Sequence, residues 1–574
     1  MSKGPHGSWP NALAVLIAAL LTVAVMRVQS QVTIAIPGDP IRTDAGLVSG
    51  TMGPDGVKTY FGIPFAAPPI RENRWRAPQP AAHWKGVLTA DRKPAECVQG
   101  LRSPTINHYF GDELAGEDCL YLNIWAPANS KSGDGLPVLV WIYGGAFTGG
   151  SASMPIYAGG ELAKKGVIYV AANYRLGVFG FLAHPDATKE SGHNASGDWG
   201  FLDQVAALKW VQTNIAMFGG DPANVTLIGQ SAGSMSINDL QASPLAKGLF
   251  KRAIGMSGAT VHGGVGSETR LADAEAQGLR LQEALKVSSL AEMRGVSSDK
   301  VVAAAQAVGI RTGPIIDGYF LPDTVDDIFG EGKQNDVAVL TGSTAKDIGT
   351  TPPIRAAKTL AEYTTLATQE YGDKVSQFLE LYPARDDAEA ARQAEDVGEN
   401  SGFAIGARAW ARAQTKTGKE PAYLYIFSHV QPYAPGVTFS DFNPATAGAY
   451  HMSDVPYWLG TYEAFNLFRK TRDWAAWDRE LSNDMQDVIV AFAKTGNPST
   501  SVVHFTRYDP ANETRMNFGD RITAEKLYTK GMDFLEANPV APGRGGGGAR
   551  GARGTEPNRT PQSPAVLVPH SPEY

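Results

Sequence analysis

Along this chain, short uninterrupted runs of aliphatic and aromatic residues alternate with longer stretches of mixed polarity. The runs include "LPVLVWIYGG" (136–145), "GVIYVAANYRL" (166–176), "NVTLIGQ" (224–230), "KRAIGMSG" (251–258), "DVAVLTG" (336–342) and "AYLYIFSHV" (422–430). A strand buried on both faces is apolar throughout rather than alternating, so these runs predict interior strands. Between them, residues 200–215 place Leu202, Val205, Ala206, Leu208 and Val211 near helical spacing, which predicts a helix. Strands separated by helices build an α/β fold with a central, mostly parallel sheet and helices on both faces. The Ala- and Glu-rich stretches 268–310 and 355–415 are helical in pattern and are expected to be insertions covering that sheet. No repeat with a period of 20 to 50 residues stands out.

Composition sharpens this in three places. At 574 residues, with 43% hydrophobic and 19% charged, the chain is a core-forming globular protein, and no internal boundary interrupts residues 31–540. A net charge of -7 gives no electrostatic reason to expect nucleic acid, so a small-molecule partner is expected. The ends differ from the middle. Lys3 and His6 precede an apolar run from Ala12 to Met26, and Val28 and Ser30 suit a cleavage site. Residues 1–30 therefore predict a signal peptide, an uncleaved anchor being the alternative, and the chain is expected to be exported with no stable membrane insertion after cleavage. Residues 541–574 are rich in Gly, Pro and Arg without hydrophobic period, which predicts a disordered tail. Cys97 and Cys119 are the only cysteines, so in an oxidising compartment each has one possible partner. Such a disulfide contributes roughly 3 kcal/mol in the chain-entropy model.

Candidate chemistry centres on "VTLIGQSAGSMS" (225–236). Gly229, Gln230, Ser231, Ala232 and Gly233 make a G-x-S-x-G pattern between a predicted strand and small residues able to start a helix, the setting of a nucleophile elbow. A small-residue turn is the alternative for the motif alone. A serine hydroxyl needs a base. If the order is serine, acid, histidine, then His429, His451, His504 and His570 lie late enough, and His451 is singled out by the Gly/Pro/Ala-rich loop before it. For the acid, Asp347 follows the strand predicted at 336–342, with Asp317 and Asp323 competing. An oxyanion hole needs backbone N–H groups, and "WIYGGAFTGGS" supplies Gly145 and Ala146 to join Ala232. There is no H-E-x-x-H, Walker A loop or dinucleotide fingerprint, so neither a metal nor another cofactor is expected.

These stretches, with "YFGIPFAAPP" (60–69), "EDCLYLNIWAP" (117–127), "NYRLGVFGFL" (173–182), "FGGDPANVTLIGQSAGS" (218–234), "PIIDGYFLPD" (314–323), "GAYHMSDVPYWLG" (448–460) and "MQDVIVAFAKTGNPS" (485–499), resemble the type-B carboxylesterases, the cholinesterase-like family of α/β-hydrolases. The resemblance covers nearly all of residues 32–535. It implies an α/β-hydrolase fold, hydrolysis of carboxylic esters and a Cys97–Cys119 disulfide. It carries the nucleophile onto Ser231, the histidine onto His451 and the oxyanion donors onto Gly145, Ala146 and Ala232. In "GSTAKDIG" the acid position falls on Asp347, where the family usually has glutamate, and Ile348 stands where glycine is usual. Gln230 stands where many relatives carry glutamate, which removes a negative charge. No tryptophan lies between the cysteines, only Tyr109 and Phe110 near the choline-binding position, so a cholinesterase is not expected. The resemblance implies a serine esterase acting on short-chain or aryl esters. A lipase for long-chain esters and a non-catalytic adhesion protein of the same fold are the alternatives.

Overall fold

The computed structural model describes residues 33–100, 114–261, 268–347, 353–439 and 443–540. The predicted signal peptide and tail lie outside the described residues. The main sheet has twelve strands: β1 (Ile34–Ala35), β2 (Thr51–Met52), β3 (Lys58–Pro64), β4 (Tyr121–Ala126), β5 (Leu136–Ile142), β6 (Ile168–Ala172), β7 (Gly220–Gln230), β8 (Arg252–Met256), β9 (Ala338–Thr344), β10 (Ala422–Phe427), β11 (Thr514–Phe518) and β12 (Ile522–Lys526). Their spatial order is β1-β2-β3-β4-β6-β5-β7-β8-β9-β10-β11-β12. Pairing is parallel from β6 through β11 and antiparallel at both margins. The apolar runs read as interior strands make up the parallel part except for β11. Val138 on β5 lies between Ile168 on β6 and Val225 on β7, and all three are fully buried.

The helices that matter for the site are α1 (Trp199–Asn214), α2 (Ala232–Ala242), α3 (Leu271–Leu285), α4 (Ser298–Ala307), α5 (Leu360–Tyr371), α6 (Asp387–Glu399), α7 (Phe403–Thr417), α8 (Val455–Leu459) and α9 (Ala476–Thr495). Helices α2 and α7 pack directly on the strands: α2 on β7 and β8, α7 on β9 and β10. The stretches expected to be insertions build two satellite cores of their own. Leu281 on α3 and Val301 on α4 pack with Trp75 and Phe179. Tyr363 and Tyr371 on α5 pack with Phe378 and Phe534. The second insertion ends before α7, because Trp410 on α7 is fully buried in the main core and belongs to the sheet rather than to its cover. Cys97 and Cys119 are joined by a disulfide. Among the described residues no helix is long and apolar enough to cross a membrane.

Candidate active site

Strand β7 runs into α2 through Ser231, which holds φ 57° and ψ −125°. A non-glycine residue in that region stores about 1–3 kcal/mol of strain, sustained only where the surroundings fix it. Here they do. The Ser231 N–H donates to Met256 O at 2.8 Å, and the turn is so tight that a Cβ on Gly229 or Gly233 would run into the Ile142 carbonyl oxygen on β5. The pattern glycines are therefore steric requirements of this turn, as the elbow expectation supposed.

The loop after β5 approaches the same serine. A Cβ on Gly144 would lie 2.9 Å from Ser231 Cβ, so only glycine lets the loop come so close. Beyond it, Gly145, Ala146 and Phe147 have φ 113°, 54° and 60°. Two successive non-glycine residues in the left-handed region turn the backbone back on itself, and Gly145 O is satisfied by Thr148 N and Gly149 N. The N–H groups of Gly145, Ala146 and Ala232 donate to no acceptor among the described residues. Ala232 opens α2, where the first N–H groups of a helix lack partners and concentrate positive potential.

His451 meets Asp347, its Nδ1–H donating to Asp347 Oδ1 at 2.5 Å. The two loops are drawn together next to this pair, where Lys346 N–H donates to Ala449 O at 2.9 Å. Burial alone would raise the Asp347 carboxyl. The charge and hydrogen bond of His451 and the Thr344 N–H, 3.2 Å from Oδ2, hold it below its ordinary value. The histidine loop is pinned from behind by Gln431: its Nε2 donates to Ser453 O at 3.0 Å, and its Oε1 accepts from Tyr450 Oη at 3.2 Å and from the buried Arg472 Nε at 2.8 Å.

The serine and histidine are not joined by a hydrogen bond. The Ser231 hydroxyl has no hydrogen-bond partner among the described residues. The side chain beside His451 is Gln230, fully buried, whose Nε2 lies 3.0 Å from His451 Nε2 and 3.5 Å from Nδ1. A donor on the Nε2 lone-pair axis would stand far more distant from Nδ1 than from Nε2. Near-equal distances put the amide against the ring, so the in-plane lone pair is left open. Phe403 stacks on the ring as well, with centroids 5.4 Å apart.

Of the competing residues, Asp317 is absorbed by a turn in which its Oδ1 accepts from Tyr319, Phe320 and Leu321 N. His429 lies between Asp478 and Asp520, at 3.0 and 2.9 Å. Burial would lower that imidazole, but the two carboxylates raise it above its ordinary value. Gln230 and Phe403 as neighbours of His451 were not legible in the sequence, where Gln230 registered only as a charge difference and Phe403 carried no signal. Tyr109, Phe110 and Ile348 lie outside the described residues. Among the described residues no group of three or more His, Cys, Asp or Glu is arranged to hold a metal ion.

A mostly parallel sheet with a strained serine at the carboxyl end of a central strand, opening a helix, defines an α/β-hydrolase. The chain belongs to the carboxylesterase family, whose model matches residues 38–535. It is 36% identical over 494 residues to the fumonisin B1 esterase of Sphingopyxis macrogoltabida, covering 84% of this chain and 86% of that one. It is 33% identical over 500 residues to the para-nitrobenzyl esterase of Bacillus subtilis (strain 168), covering 84% and 96%. A solved thermophilic para-nitrobenzyl esterase superposes with a TM-score of 0.68 at 31% identity, over 85% of this chain and 97% of that one. The activity class is carboxylic ester hydrolysis.

Proposed function

We propose that Ser231, His451 and Asp347 form the catalytic triad of this ester hydrolase, with Gly145, Ala146 and Ala232 donating to the oxyanion. The supporting observation is that a serine in a strained elbow adjoins Ala232 and the loop of Gly145 and Ala146, whose N–H groups are unengaged among the described residues, while the Nδ1 of His451, packed against the neighbouring Gln230, is held by a buried carboxylate. With Nδ1–H on Asp347, the neutral imidazole presents its lone pair at Nε2. When an ester enters, the Ser231 hydroxyl turns onto that lone pair, a contact often loose before substrate binds. Oγ attacks the carbonyl carbon, its proton passes to Nε2, and the carbonyl electrons move onto the oxygen facing the three N–H groups. Each such donor is worth on the order of 2.7–4 kcal/mol. Collapse breaks the bond to the alcohol oxygen, which takes the proton from Nε2. Water then attacks the acyl-enzyme by the same route, and Ser231 leaves with its proton restored. The depressed Asp347 carboxyl stays ionised throughout and steadies the imidazolium.

We place the preferred substrates among short-chain or aryl esters, a reading supported by the likeness to para-nitrobenzyl esterases. Hydrolysis of p-nitrophenyl acetate, butyrate, octanoate and palmitate tests it. Ser231→Ala is expected to lose at least about 10³-fold in kcat, and Asp347→Asn about 10³–10⁴-fold, because an amide stabilises the wrong tautomer. Wild-type rates equal to Ser231→Ala on every ester would overturn the triad. A sharp rise on palmitate above its solubility limit would replace the esterase reading by a lipase.

A further inference from the structure

Away from Ser231, where α1 begins and the loop before it meets residues 313–321, lies a cavity of about 120 Å3 open to the centres of water molecules. A single water needs only roughly 10–15 Å3 on that measure. Trp75 and Trp199 wall it, Tyr319 and His193 stack on each other beside it with centroids 3.9 Å apart, and Asp198 and Asp317 line it.

The two carboxylates are incompletely satisfied. Asp198 is 1% exposed; its Oδ1 accepts from Ile315 N at 3.1 Å, and its Oδ2 has no hydrogen-bond partner among the described residues. Asp317 is 6% exposed, and while its Oδ1 takes three N–H groups, its other oxygen takes no hydrogen bond from another residue among those described. Among the described residues no lysine, arginine or histidine pairs with either. Arg76 and Arg294 are engaged by Glu190, and Arg175 by Asp203. Burial raises Asp198 well above the usual carboxylate range, and the charge of Asp317 adds to the rise; burial raises Asp317 too, against its three N–H donors. A buried carboxylate oxygen without a partner is costly, and a positive charge beside it removes that cost.

We propose that this cavity binds a small organic ammonium ion, seated between Asp198 and Asp317 and against the Trp75 and Trp199 rings. Two features favour an alkylammonium over a metal. The walls are aromatic, which suits a cation with an apolar tail. Of the three carboxylates that line it, Glu190 is already paired with Arg76 and Arg294, which leaves only Asp198 and Asp317, and the described residues offer no set of three or more side chains arranged to hold a metal. An ammonium needs fewer: its N–H groups donate to the free oxygens while its carbons rest on the indoles.

Thermal unfolding of the full chain in propylammonium chloride, against sodium chloride and calcium chloride at matched ionic strength, tests the assignment. Propylammonium is expected to raise Tm by about 1–3 °C at a concentration tenfold above its Kd. Asp198→Asn and Asp317→Asn each keep an oxygen for the backbone N–H groups, so both should fold and hydrolyse p-nitrophenyl acetate at the wild-type rate while losing the shift. Equal Tm in propylammonium and sodium, or a shift that survives both substitutions, overturns the proposal. Stabilisation by calcium with none from propylammonium overturns it in favour of a metal site.

Discussion

His451 is held on three sides: by Asp347 at Nδ1, by the Gln230 amide against the ring and by the Phe403 ring. The first contact sets the tautomer. The other two leave the ring little freedom to swing away from Ser231. That a neutral amide stands there has an electrostatic consequence, because a carboxylate in the same place would favour the charged imidazolium. In Gln230→Glu the acidic limb of kcat/KM is therefore expected to move to higher pH by about one unit, while the rate on the alkaline plateau changes far less. A limb that stays put would show that the side chain at 230 does not act on the base. The shorter acid is accommodated in a similarly local way: joining Lys346 to Ala449 brings the two loops close enough for aspartate to reach Nδ1 without the extra methylene of glutamate. The sequence names the three polar residues but is silent on this arrangement, since none of the contacts is local in the chain.

At the scale of elements, the interior strands were legible because burial on both faces makes them continuously apolar. The edges of the sheet were not. Strands β1, β2, β11 and β12 are short or mixed in polarity, and they pair by position in the sheet rather than by any pattern of their own. Helix α8 shows what sequence patterns miss about energetics. Just before it stands Asp454, fully buried against β10, where Tyr425 Oη donates to its Oδ2 at 3.0 Å and its Oδ1 has no hydrogen-bond partner among the described residues. Burial, with a smaller contribution from the charge of Asp347, pushes this carboxyl up to about 6. A carboxyl raised in the folded state binds its proton more tightly folded than unfolded, so stability falls as pH rises from the unfolded value near 4 through about 6, and the loss is complete above that. Two pH units correspond to about 3 kcal/mol. The difference in unfolding free energy between wild type and Asp454→Asn, followed from pH 4 to pH 8, should swing against the wild type by about that amount and level off above pH 6. A difference independent of pH would mean that Asp454 titrates alike in both states.

Among the described residues the molecule has one large core with smaller satellites, and its C-terminal part ties one satellite to the sheet. Arg408 on α7, itself 3% exposed, is bound by Glu513 at 2.5 Å and Asp533 at 2.7 Å, with Glu536 at 3.4 Å. Glu513 precedes β11, while Asp533 and Glu536 lie on the last helix, Thr529–Ala537. From that helix Phe534 and Leu535 enter the satellite core beside Tyr371 and Phe378. The sheet strands and the core residues among the described residues all lie before residue 540, where the loss of hydrophobic period in the sequence predicts the domain to end. Two truncations separate what the fold needs from what it does not. A chain ending at 540 should keep the full-length Tm and kcat/KM, since every core residue remains. One ending at 527 removes Met532, Phe534 and Leu535 from buried positions and two of the carboxylates from Arg408. At about 1.5–3 kcal/mol per buried side chain the loss exceeds 4 kcal/mol, a large part of a typical domain's stability. Because the satellite lies between β9 and α7 in sequence, and α7 leads into β10, its melting should reach the Asp347 loop and reduce kcat along with Tm. Should the chain ending at 540 already melt lower than the full-length protein, residues 541–574 would have to pack against the body, and the domain boundary would move to include them.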